Sequence, residues 1–149
     1  MADPGRPNHQ TALKYFREAL RRGATLHLST VVAAEFHVKQ EISDLPLRNF
    51  YVEPFNIEQA MIAGDLWAKL SRDADDRRDV VKDDVKLIAQ AIDLGLTHVL
   101  SEDASTLAKY AERLRSQGAC ELSVILLRDG FQSSHFEGGQ LGFSDIDLA

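Results

Sequence analysis

The chain has 149 residues, 44% hydrophobic and 27% charged, which fits one ordinary globular domain spanning 1–149 and excludes a disordered or collagen-like polymer. Its formal net charge of −6 argues against broad phosphate neutralisation on DNA, although carboxylates gathered for divalent cations would themselves push the balance negative. No apolar run approaches bilayer length, the N-terminus lacks a basic-then-apolar signal pattern, and the single cysteine, Cys120, excludes an internal disulfide; a cytoplasmic protein without membrane contact is expected.

Along the chain, Ala12, Leu13, Tyr15, Phe16, Ala19 and Leu20 recur at helical spacing, and Gly23 supplies a stop. "TLHLS" predicts a short strand ending near Ser29, and "TVVAAEFHVKQ" a helix with Glu35 in its first turns. "SDLPLRNF" predicts a loop and "FYVEPF" a short strand. Asn56 and Gln59 stand at capping-box spacing, heading a helix through Leu70. The charged stretch 71–79, "SRDADDRRD", predicts an exposed connection or frayed helix end, its alternating signs forming a salt-bridged face.

Asp83 and Asp84 are expected to open the next helix, whose apolar face runs through Val85, Ile88, Ala89 and Ile92 to a stop at Gly95. "THVLS" follows as a strand, residues 104–117 as a helix ended by Gly118, and "LSVILL" as a strand covered on both faces. The segment 128–149 predicts an irregular, glycine-containing tail packed along an edge. Strand and helix alternate through short connections, the pattern of a parallel sheet sandwiched between helices.

In such a sheet, functional groups collect beyond the carboxyl ends of the strands. Glu35 follows the strand ending at Ser29, Asp103 follows the strand ending at Ser101, and Asp84 lies on the helix leading into that second strand. Converging carboxylates raise one another's pKa values unless a cation neutralises them. A hard ion such as Mg²⁺ is satisfied by one or two carboxylates plus waters and leaves positions for phosphate oxygens. The histidines, by contrast, show no paired zinc spacing. Each acid has an ordinary alternative: Asp84 and Asp103 as helix caps, Glu35 as a solvated surface residue. Trp67 at helical spacing with Ala60, Ala63 and Leu70 predicts packing rather than base stacking.

Three blocks in order, "LHLSTVVAAEF", "DVKLIAQA" and "HVLSEDAS", resemble the PIN domain, the metal-dependent ribonuclease fold of VapC-type toxins. The resemblance implies a three-layer α/β/α fold with a central parallel sheet. It assigns Glu35, Asp84 and Asp103 as metal ligands and catalytic acids, with Ser101 as the hydroxyl ordering the site. It further implies Mg²⁺ or Mn²⁺ as cofactor, RNA as substrate, an antitoxin protein as partner, and a homodimer. The family normally begins with an apolar strand ending in an aspartate; no such strand precedes "MADPGRPNHQTALKYF", and Asp3 does not fill that position. Two functions follow: a toxin-like endoribonuclease, or a catalytically degenerate PIN-like binding or regulatory module. A third, an unrelated α/β domain with well-capped helices, leaves the order of the acidic blocks unexplained.

Overall fold

The computed structural model describes residues 8–102 and 105–137. Within them the chain is a mixed α/β protein: α1 (His9–Arg22), β1 (His27–Ser29), α2 (Thr30–Lys39), β2 (Tyr51–Glu53), α3 (Ile57–Lys69), α4 (Arg78–Asp93), β3 (His98–Ser101), α5 (Ser105–Ser116) and β4 (Ser123–Leu126). Short 3-10 turns fill the connection between α2 and β2 and follow β4. No helix among the described residues is long and apolar enough to cross a membrane.

Local chemistry explains most of the boundaries. Gly23 ends α1 in the left-handed conformation (φ 68°), its amide donating back to Leu20 O. The Ser29 hydroxyl accepts from Val31 N at 3.1 Å, so the last residue of β1 is also the cap of α2. Asn56 and Gln59 form the expected reciprocal capping box at the head of α3.

The boundary of α4 departs from expectation. The helix begins at Arg78 after Arg77 at its N-cap, so Asp83 and Asp84 lie in its second turn and do not open it. Much of the charged stretch 71–79 is not free connection either. Asp73 accepts from Lys109 (3.1 Å) and Arg113 (2.8 Å) of α5, and Asp76 pairs with Lys109. The buried Tyr110 donates to Asp76 and accepts from Asp73 N at 3.0 Å. This is the salt-bridged face that the alternating charges predict, and it fastens the segment before α4 onto α5.

The strands form two separate parallel pairs, β1–β2 and β3–β4, where one sheet is expected. No strand among the described residues bridges β1 to β3. His27 stands opposite Tyr51 in the first pair, and His98 opposite Ser123 in the second. The main core packs α3, α4 and α5 around Leu66, Val81, Val85, Ile88, Tyr110 and Leu114, with Val99 and Val124 of the second pair against it. Ile125, the next residue of β4, joins a smaller cluster with Ala12 and Tyr15 of α1. Successive strand residues point to opposite faces, so β3–β4 is packed on both. Coverage is nonetheless incomplete: Ile125 is the one fully buried residue of β4, and Leu100 of β3 is 43% exposed.

Candidate functional site

Asp84 is half-buried, and its carboxylate accepts a hydrogen bond from the Thr106 hydroxyl in the first turn of α5. Because α5 begins just after β3 ends, this contact fixes Asp84 at the carboxyl end of the β3–β4 pair. Ser101, half-buried, is the last residue of β3 and belongs to the same end. Asp103 lies outside the described residues, two positions beyond Ser101.

The neighbouring Asp83 diverges from this direction: its carboxylate is paired with Lys86, 3.1 Å away on the same helix. Adjacent helical residues are separated by ~100° around the axis, so Asp83 and Asp84 serve different surroundings. Glu102 is exposed, as the alternation along an extended segment predicts.

Glu35 is exposed on α2. Its helix packs against α4, so Glu35 and Asp84 stand on neighbouring elements. Among the described residues, no three His, Cys, Asp or Glu side chains come together as a metal-holding group. Asp84 supplies one carboxylate with a fixed direction; the ligand set is not assembled by the described residues alone.

The packing of β2, α3 and α4 contains a buried polar network. Gln90, on α4, donates to Glu53 O of β2 (3.0 Å) and to Gln59 Oε1 of α3 (3.1 Å). Gln59 in turn donates to Asp93 at 3.0 Å. Both glutamines are nearly inaccessible to water, so these bonds satisfy groups that would otherwise be costly to bury. They tie β2 to α3 and α4. Gln90 stands within the "DVKLIAQA" block, but nothing in its periodicity announces a buried amide.

A second cluster, built from residues far apart in the chain, lies on the α1 face. The Tyr15 hydroxyl is 2.8 Å from His135 Nδ1 and accepts from Gln132 N at 3.1 Å. The His135 ring lies 6.4 Å from that of His98, the first residue of β3. Burial, and after it the nearby His135, holds the His98 imidazole below its ordinary range. Trp67 packs half-buried against the main core, with Arg78 and Lys82 over its ring at 5.8 and 5.6 Å. That agrees with a packing role.

Comparison of the chain with protein-family models, curated proteins and solved structures gives no match.

Proposed function

We propose that the chain is a PIN-like, metal-dependent endoribonuclease, a toxin-like component held in check by an antitoxin protein. The observation that carries this reading is the position of Asp84. A carboxylate predicted from the sequence to be a ligand is held by Thr106 at the carboxyl end of a parallel strand pair, beside Ser101. Asp103, by its place in the chain, follows the same strand. Helix packing on both faces of β3–β4 supports the three-layer arrangement that the family resemblance implies.

In this reading Asp84, Asp103 and Glu35 hold Mg²⁺ or Mn²⁺. The ion would polarise the phosphodiester and supply activated water. Thr106 keeps the Asp84 carboxylate aimed, and Ser101 orders the strand end. Fixing the direction of a ligand matters because small misplacements of reacting groups are costly in rate.

A second reading, a degenerate PIN-like module without catalysis, is favoured by the exposure of Glu35 and by the break between the two strand pairs. Cleavage of single-stranded RNA over a range of Mn²⁺, by the chain and by its Asp84→Asn and Asp103→Asn variants, separates the two. Metal-dependent cleavage lost in both variants supports the nuclease. No cleavage at any Mn²⁺ concentration supports the module. Cleavage surviving both changes overturns the assignment of these acids.

A further inference from the structure

The acids around the start of α4 are already committed. Asp73 pairs with Lys109 and Arg113 of α5, Asp76 with Lys109, Asp79 with Arg77 (2.6 Å), and Asp83 with Lys86 (3.1 Å). Arg78 and Lys82 stand outside these pairings, and neither has a carboxylate partner among the described residues. In a chain with 23 acids against 17 lysines and arginines, that is not for want of acids. Both cations lie instead over the Trp67 ring, Arg78 Cζ 5.8 Å and Lys82 Nζ 5.6 Å from its centre. Two positive charges over one ring repel each other, and the indole face offsets that only in part. An anion between them relieves the repulsion.

Arg78, Lys82 and Lys86 follow one another at four-residue spacing, forming a line along α4 with a step of ~6 Å. Beside this line, α3 and α4 leave a cleft of about 280 Å³ lined by Ala63, Gly64, Trp67, Lys82, Val85 and Lys86. Its floor is small and apolar, and a methyl group added at Gly64 would have no neighbour within 4 Å, so the cleft is open above the floor. Its rim is cationic. A free phosphate would satisfy the rim and leave the floor empty, whereas a sugar–phosphate chain meets both. The cations already occupy the Trp67 ring, so this surface reads the spacing of charges and not the identity of bases.

We propose that the Arg78–Lys82–Lys86 line and the cleft beside it bind the sugar–phosphate backbone of single-stranded RNA. The proposal rests on the reading of RNA as this chain's ligand, and it concerns a surface apart from the candidate metal ligands. Lys82 and Asp84 are two positions apart, ~200° around the axis of α4, with Lys82 toward Trp67 of α3 and Asp84 toward Thr106 of α5. This surface holds RNA and takes no part in cleaving it.

Fluorescence anisotropy of a short labelled oligouridylate tests it, in EDTA so that no metal-dependent step occurs, across a salt titration. Each phosphate contact on a single strand contributes ~0.7 to the fall of log affinity with log salt. The Arg78→Gln, Lys82→Gln double variant is expected to bind at least ~10-fold more weakly at low salt and to lose ~1.4 of that slope. Lys82→Arg keeps the charge and should bind as the wild type does, as should Lys14→Gln, at an exposed position of α1. Urea midpoints show which variants are folded; Lys82→Gln alone, expected to lose ~0.7 of the slope, serves if the double variant is not. No binding by the wild type, an unchanged slope in the folded variants, or an equal loss in Lys14→Gln would overturn the proposal. Tighter binding of polyglutamate than of RNA would overturn it in favour of an acidic protein partner. RNA binding in EDTA without cleavage in Mn²⁺ would sink the nuclease reading alone, and cleavage without this binding would sink the proposal alone.

Discussion

The Thr106 hydroxyl donates to the Asp84 carboxylate, fastening the first turn of α5 to the second turn of α4. A half-buried carboxylate gains both orientation and solvation from this contact. Thr106→Val keeps the shape and removes the donor, and a lost hydrogen bond to a charged group costs about 1.5–3 kcal/mol. Urea unfolding should show a loss of that order for Thr106→Val and little change for Thr106→Ser. A midpoint unmoved in both would mean that water replaces the hydroxyl at no cost.

Tyr110 should matter more than its place in a hydrophobic core suggests. Its hydroxyl bonds both Asp76 and the Asp73 amide, so Tyr110→Phe leaves the charged segment before α4 without its buried anchor. A destabilisation of about 1–3 kcal/mol is expected, with faster proteolysis between Ser71 and Arg77. Unchanged proteolysis there would show that the ion pairs with Lys109 and Arg113 hold the segment unaided.

How much of this was legible in the sequence depends on the range of the interaction. The capping box of α3 and the glycine stop at Gly23 are local, and they appear where their spacing predicts. α4 starts earlier than its local sequence predicts, because Arg78 and Asp79 look like loop and their helical state rests on burial of Val81 and Val85 against partners distant in sequence. The single expected sheet is two pairs because periodicity identifies strands but not their neighbours. The Tyr15–His135 contact joins residues far apart in the chain, and neither residue has a local signal for it. At the candidate site, Asp84 contacts the first turn of α5, Ser101 ends β3, Glu35 is exposed, and Asp103 is outside the described residues.

Acid should weaken the fold partly through Asp73. Hydrogen bonds from Arg113 and then Lys109 lower its carboxyl from the ordinary 3.8 to about 2. A depressed carboxylate pKa stabilises the fold above the unfolded value, and this contribution disappears as pH falls from about 3.8 toward 2. Glu18, lowered from 4.5 to about 2 by Arg21 and Arg22, acts in an overlapping window as pH falls from about 4.5 toward 2. Asp73→Asn should flatten, without abolishing, the fall of the urea midpoint between pH 4 and 2. Added salt should flatten it further, because the pair is solvent-exposed. A pH profile identical to wild type would remove Asp73 from the account.

Near neutrality, the sensitive group is His98. Its folded pKa is lowered from 6.5 by burial and by His135, so the unfolded chain binds its proton more readily. Stability present above pH 6.5 should decline as pH drops through that value toward the lower folded pKa. His98→Gln should reduce this slope between pH 7 and 5, as read from urea midpoints. An unaltered slope would assign it to other histidines.

Divalent metal binding tests the proposed centre most directly. Thermal unfolding of the chain and of Asp84→Asn should be followed across an Mn²⁺ titration, with Ca²⁺ as the comparison ion. At roughly a hundred times its Kd, a ligand bound only by the folded state adds about 2.7 kcal/mol, or ~5–10 °C for a domain of this size. The account predicts that Mn²⁺ raises the midpoint of the chain by about that amount and leaves Asp84→Asn unmoved. A flat response in the chain, or an equal rise in Asp84→Asn, would contradict the claim that Asp84 is a metal ligand.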